Sequence, residues 1–357
     1  MLMKKRMMTT AAAAALILPL TANAAKVIGD KLEIYGKLHL SIDASDTDGL
    51  NTNKENLSVS SNSSRLGFKG KHKIATSGLT VVYKLEQEVS VGSGSSATLT
   101  TRNSYAGLKG NFGQVIAGHH DTPFKIIGSK WGVFGDSVGE RRSVLGAKSS
   151  GGNTMNQRGK NALMWSNKFE NIKAMAMYST DGADSAPTAL DDNDNAMFSV
   201  GVLYKGKDTP FYFGAAYEDW DSLKGNATDG YRLMAGYKAK FGKIGFIYED
   251  ISSSNVALDR AVYGLNGVFK LGNGLDLRGQ LLVADDSDAG SDTGATRISL
   301  GMFKRLDKQT SLYVAYGQTD NDTNANYQGV DGGHGDEVKT VSGGTPSALS
   351  LGLVYKF

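Results

Sequence analysis

The run Gly135-Asp136-Ser137-Val138-Gly139 fits G-x-S-x-G, the pattern in which a serine nucleophile stands on a sharp turn between a strand and a helix. That chemistry needs a buried parallel strand before the serine, a helix after it and a histidine to take the proton. Neither element is visible around 135–139, and the five histidines stand in no obvious triad relation to Ser137, so no catalysis is expected. Asp-rich stretches at 191–195, 285–288 and 320–324 invite a calcium reading. The last of them, DNDTN, lacks the glycine at loop position 6 and the glutamate at position 12 that an EF-hand uses. These stretches read as solvated loop tips. Asn226-Ala227-Thr228 fits a glycosylation sequon, but a leader alone does not imply a glycosylating host. Met175 and Met177 alternate along a strand pattern and read as packing residues rather than metal ligands. With no cysteine there is neither a disulfide framework nor a thiolate site.

The remaining candidates are charges whose spacing sets their direction. Arg65 has the parity opposite to Leu66 and Phe68, Arg102 that opposite to Tyr105, and Arg158 and Lys160 that opposite to Leu163 and Trp165. Lys84 shares a face with Glu86 and Glu88. These assignments hold only if strands carry the residues, and the chain is full of strand patterns. In LEIYGKLHLSID, Leu32, Ile34, Leu38, Leu40 and Ile42 fall on one face, and Glu33, Lys37, His39, Ser41 and Asp43 on the other. Period 2 sustained over a segment marks a half-buried strand. LTVVYKLEQEV, NAMFSVGVLYK, FYFGAAYE, YRLMAGYKAK, AVYGLNGVFK, LDLRGQLLV and RISLGMFK repeat it, as does the terminal ALSLGLVYKF.

The connections alternate as well. Short turns fall near 75–78, 111–113, 170–171, 206–209, 241–243, 272–274 and 307–309. Longer polar stretches fall near 44–56, 91–98, 121–157, 181–195, 219–229, 252–259, 285–295 and 319–346. Seven short turns and eight long loops join sixteen strands, with all long loops at one end. Strands of about ten alternating residues with this asymmetry are the signature of a transmembrane β-barrel. A closed barrel pairs every backbone group in lipid without leaving an edge. The last strand, which ends in mid-pattern at Phe357, is expected to pair with the first, with its apolar row toward lipid and Tyr355 and Phe357 at an aromatic girdle. A β-sandwich or propeller would also alternate, but would not segregate its loop lengths.

The amino terminus fits that destination. Residues 1–24 carry a basic start (Lys4, Lys5, Arg6), an apolar run from Ala11 to Leu20 and Ala22-Asn23-Ala24 as a cleavage site, which together read as a signal peptide. The apolar run is about half of what a spanning helix needs. The formal charge is +3, and removal of those three basic residues brings it to zero, which gives no footprint for nucleic acid. Forty-five glycines against five prolines fit tight turns and close backbone contacts.

Taken in order, LEIYGKLHLSID, NSSRLGFKG at 62–70, TRNSYAGLKGNFGQVIAGHHDTPF at 101–124, WGVFGDSVGE at 131–140 and the terminal LGLVYKF resemble the general porins of the Gram-negative outer membrane. The resemblance spans residues 25–357 as one barrel domain. It implies sixteen antiparallel strands, three associated barrels, periplasmic short turns and a third long loop, here about 121–157, folded into the lumen as a constriction. It also implies that the terminal strand, with Tyr355 and Phe357, is read by the outer-membrane assembly machinery. By position, Arg65, Arg102, Arg158 and Lys84 become candidates for a basic wall, and Asp121, Asp136 and Glu140 for the acidic loop side. Such segregated charge would set a transverse field and tune ion selectivity. No role is assigned to His119 or His120. The expected activity is passive diffusion of small hydrophilic solutes and ions, with no cofactor, no metal and no chemical step. Outer-membrane lipid and lipopolysaccharide are the expected surroundings, and the acidic tips could bridge lipopolysaccharide phosphates through divalent cations. A substrate-selective channel on the same barrel is the first alternative; a barrel-anchored enzyme or adhesin is the second.

Overall fold

The computed structural model describes residues 25–50, 57–92, 99–146, 155–182, 195–223 and 225–357. The proposed leader, residues 1–24, and Asp191–Asp194 lie outside the described residues. Sixteen antiparallel strands close into a barrel. They are β1 (Leu32–Asp46), β2 (Leu57–Ser61 and Arg65–Lys73), β3 (Thr80–Val89), β4 (Leu99–Thr101 and Ser104–Gly110), β5 (Gly113–Asp121) and β6 (Arg158–Phe169). There follow β7 (Ile172–Ser179), β8 (Met197–Lys205), β9 (Phe211–Leu223), β10 (Asn226–Ala239) and β11 (Gly242–Ser253). The series ends with β12 (Arg260–Gly272), β13 (Leu275–Ala284), β14 (Ala295–Arg305), β15 (Thr310–Asn321) and β16 (Ser347–Lys356). A short strand, Ala25–Ile28, pairs with the start of β1.

Closure occurs where the sequence predicts it. β16 pairs with β1 from Ser347↔Asp46 to Lys356↔Lys37. Phe357 then donates its N–H to Gly36 O at 3.1 Å, and Gly36 donates to Phe357 O at 2.9 Å. Gly36 carries no side chain because the Phe357 ring occupies that space: a Cβ there would lie 2.3 Å from Cζ.

The barrel is apolar outside. Leu351 is 56% exposed while its neighbour Ser350 is fully buried, an inversion that only a lipid environment makes favourable. Leu233, Leu265, Leu281, Ile298 and Leu300 continue the outer apolar band. It is bounded toward the short turns by exposed Phe169, Phe211, Tyr237, Phe241 and Phe269, and toward the long loops by Tyr178, Phe198, Tyr217, Tyr231 and Tyr263. These are two aromatic girdles.

Three local departures from the sequence reading have physical causes. No long loop exists at 219–229: β9 runs to Leu223 and β10 resumes at Asn226, so Asp219, Asp221 and Asp229 sit on strands extended past the girdle. Polarity on both faces hides period 2 there. β4 is interrupted at Arg102 and Asn103, which resets its parity, and Arg102 and Tyr105 both point inward. The β5–β6 register slips between Gly118 and His120, and Asn161 takes a positive φ of 45°. Parity therefore cannot be counted from Leu163 back to Arg158.

Candidate functional site

Between β5 and β6 the chain turns into the barrel. Thr122 caps a helix, α1 (Pro123–Trp131), its hydroxyl accepting from Lys125 N at 3.2 Å, with proline in the first turn where no N–H is needed. Past Trp131 the segment has little regular structure, so its carbonyls need outside donors. Inward side chains of successive strands supply them. Arg232 of β10 donates to Phe124 O (2.9 Å), Asn266 of β12 to Trp131 O (2.9 Å), and Arg278 of β13 to Val133 O (2.7 Å). Gln280 of β13 donates to Gly139 O (3.3 Å) and Arg297 of β14 to Val138 O.

The apolar side of the loop, Phe124, Ile127, Trp131, Leu145 and Met155, is fully buried against Met164, Met175, Met177, Met197 and Met234 of the wall. Flexible thioethers fill the irregular gap between loop and strands, so Met175 and Met177 are packing residues.

At the loop tip Gly135 and Asp136 both have positive φ, 39° and 59°. This turn aims Asp136 across the lumen. Its Oδ2 lies 2.7 Å from Lys37 Nζ on β1 and 3.6 Å from Arg65 Nη2 on β2, and its Oδ1 accepts from Arg142 Nη2 at 2.9 Å. Burial opposes the charge, yet Lys37, Arg142 and Arg65 outweigh it and hold the carboxyl well below the ordinary carboxylate range. Glu140 does not face the lumen. Its side chain is 1% exposed, accepts from Asp136 N at 2.8 Å and pairs with Arg141 at 2.6 Å and Arg142 at 3.2 Å. Burial again opposes, and Arg141 and Arg142 bring Glu140 down to about 2.

The expected division into basic wall and acidic loop does not form, because each side carries both signs. Glu86 is the hub of the wall. Its carboxylate lies 3.0 Å from Lys84, 3.1 Å from Arg102 and 3.9 Å from Arg65, and accepts from Tyr35 Oη at 2.8 Å. Arg102 also pairs with Glu88. The loop in turn brings Arg141 and Arg142. Arg158 pairs with Asp121 at 3.2 Å at the root of the loop, where Lys125 also reaches Asp121 at 3.0 Å; neither Arg158 nor Asp121 contacts Asp136. Lys37, which touches Asp136 most closely, shared the polar face of β1 in the sequence pattern, but nothing in its spacing singled it out.

The other candidates resolve into structural roles. Ser137 is buried and its hydroxyl donates to Phe134 O at 3.0 Å. His119 stands opposite Ser104, and the His120 ring packs on Tyr105 with centroids 5.3 Å apart. Asp286 accepts from Thr293 N and Gly294 N of its own loop, and Asn321 ties Tyr327 and Gly344 together.

A second segment also turns inward. Between β15 and β16, Gly333 O accepts from Ser63, Gly335 N donates to Asn62, and His334 Nε2 lies 3.2 Å from Asp43 Oδ2. This segment covers the inner face of β1 and β2 above Lys37. On the turn side of the Asp136 contact opens a cavity of about 500 Å³, bordered by Lys37, Arg65, Arg278, Arg305, Lys308 and Lys356 against only two carboxylates, Asp136 and Asp276.

A family model described as Gram-negative porin matches residues 9–324. Outer membrane protein U of Vibrio parahaemolyticus is 24% identical over 274 residues, covering 73% of this chain and 72% of that one. The major outer membrane protein P.IB of Neisseria meningitidis is 25% identical over 183 residues, 49% of each chain. Among solved structures, an anion-selective porin from Comamonas acidovorans superposes with a TM-score of 0.75 at 20% identity, covering 92% of this chain and 99% of that one. The trimer form of OmpT of Vibrio cholerae gives 0.68 at 18% identity, with coverages of 92% and 99%.

Proposed function

The chain belongs to the Gram-negative porin family, and from that premise we propose a passive diffusion channel that prefers anions, with Asp136, Lys37, Arg65, Arg102 and Glu86 at its constriction. It is a channel of the outer membrane. The observation that carries the preference is the cavity beyond the constriction, with six basic residues against two carboxylates, both already paired. A cleft dominated by one sign of charge concentrates its counter-ions and biases their passage. The Comamonas porin is described as anion-selective, which agrees with this reading. Likeness to the OmpT trimer supports association of three barrels. Residues 1–24 act as the leader in this reading, Tyr355 and Phe357 as the signal for barrel assembly, and the long-loop end faces lipopolysaccharide.

The test is the reversal potential of single channels in a KCl gradient. Wild type should reverse on the chloride side. Arg65→Ala with Arg102→Ala should move it severalfold toward potassium, because the change removes two cations and uncovers Glu86 and Glu88. A wild-type channel that reverses on the potassium side would refute the preference, and an unmoved double variant would remove these arginines from the constriction.

A further inference from the structure

A second cavity, of about 360 Å³, lies between the carboxyl end of α1 and the β8–β9 turn. Lys130 from the last turn of α1, Lys205 at the end of β8 and Lys238 near the end of β10 line it, together with Tyr212 and Met234, and no carboxylate does. Asp208 of the same turn is exposed and stands outside the lining. Two more ammonium groups crowd the site. Lys243 sits directly opposite Lys238 in the β10–β11 register, and Lys173 of β7 lies within electrostatic reach of Lys130. Among the described residues none of the five lysines has an ion-pair partner. Like charges directly opposite on a sheet destabilise it. The three lining lysines are exposed, so a counter-charge can reach them from the solution or the membrane.

We propose that Lys130, Lys205 and Lys238 form a binding site for an anionic phosphate group, between the constriction and the periplasmic mouth. The proposal deepens the anion-preferring reading and rests on it. Ammonium groups are compact charges, each with three donors, and a phosphate offers several acceptor oxygens with one negative charge as a diester and close to two as a monoester, so three lysines around one cavity match it in charge and hydrogen bonding. The volume exceeds that of a bare phosphate, and Tyr212 with Met234 leaves room for a small organic body. Lys130 belongs to the helix of the inserted loop, so occupancy is coupled to the conduction path. Phe211 of the short-turn girdle and Tyr204, stacked on the outward Phe213, also border the cavity, so the phosphate has two sources: a solute in transit or a phospholipid headgroup of the inner leaflet.

The experiment is single-channel recording in KCl with pyrophosphate or glycerol phosphate added to the short-turn side. Block of the current should saturate, and Lys130→Gln, Lys205→Gln and Lys238→Gln should each raise the half-blocking concentration about tenfold, the equivalent of one charge-assisted hydrogen bond. Heat-modifiable mobility of the variants confirms their barrels. Saturable block in phosphatidylcholine membranes assigns the site to a soluble phosphate. Block that vanishes when phosphatidylglycerol is added assigns the same site to the lipid. A linear, unsaturated response in both membranes, or a triple variant blocked like wild type, overturns the proposal. The KCl reversal potential of the same channels reads separately: a potassium-side reversal with intact block would fault the general preference and not the site.

Discussion

Asp136 concentrates the electrostatics of the constriction in one carboxylate shared by Lys37, Arg65 and Arg142. Charge-assisted bonds of this kind are about twice as strong as neutral ones. Asp136→Asn should therefore leave three cations facing the lumen, move the reversal potential further toward chloride and make the open current noisier. An unchanged potential and noise level would show that Asp136 is screened from the pore. The same geometry dictates the response to pH. Asp136 and Glu140 are both depressed carboxyls, so the stability they contribute is complete above their unfolded values of about 4 and is lost only as pH falls through the folded ones. Neither carboxyl therefore gives the conductance a pH dependence between about pH 5 and 8. A closure within that window that disappears in Asp136→Asn would contradict the assignment. At this scale parity correctly sent Arg65, Lys84 and Glu86 inward, because β2 and β3 are regular at those positions. It failed at Tyr105, beyond the break in β4, and could not foresee Glu86 as a hub or Glu140 turned away from the lumen. Those placements depend on which loop atoms reach which wall, a long-range matter that local period does not encode.

One buried pair fastens both ends of the inserted loop. Arg232 and Glu249, both 0% exposed in their side chains, bind each other through Nε and Oε2 at 2.7 Å. Arg232 also donates to Phe124 O at 2.9 Å and to Asn156 Oδ1 at 3.1 Å, while Glu249 Oε1 accepts from Gly146 N at 2.6 Å. The pair thus grips the start of the loop at α1 and its return at Gly146 and Asn156. Removing one partner of such a pair leaves the other charge buried and costs about 3–5 kcal/mol. Arg232→Ala should release the loop, raise single-channel conductance and let larger sugars into proteoliposomes. The barrel should persist, because the strand ladder does not run through the loop. Swelling rates equal to wild type for every sugar would mean that the loop is held by its other donors, such as Asn266 and Arg278. That a long loop lies between β5 and β6 was legible from its polar length and from the family resemblance. The pair that fastens it was not, since Arg232 and Glu249 look like any other lumenal charges on β10 and β11 until the loop is seated against them.

At the scale of the whole molecule, the alternation of residues encodes an inside-out protein, and the strongest test lies in the strand that closes it. Leu351 is 56% exposed on the outer face of β16, so an arginine there near the bilayer midplane should destabilise the folded barrel by about 2–4 kcal/mol, whereas Leu351→Ile should be close to neutral. The neighbouring lumenal positions are not permissive controls, although their inward facing was legible. A Cβ on Gly352 would meet the ring of Tyr313, its partner on the neighbouring β15, at 2.1 Å, and Ser350 is fully buried. Phe357 acts differently. Its backbone closes two hydrogen bonds with Gly36 and its ring covers that residue, a contribution at the rim, while β16 keeps its register from Ser347 to Lys356 without it. Deleting Phe357 should therefore leave heat-modifiable folding in detergent largely intact and reduce recovery of the protein in the outer-membrane fraction of cells, whereas Leu351→Arg should lower the denaturation midpoint in lipid vesicles. A harmless Leu351→Arg would invert the facing of β16. Because β16 sets the register of β1 through the closure, that result would also turn Lys37 out of the lumen and dismantle the constriction built around Asp136.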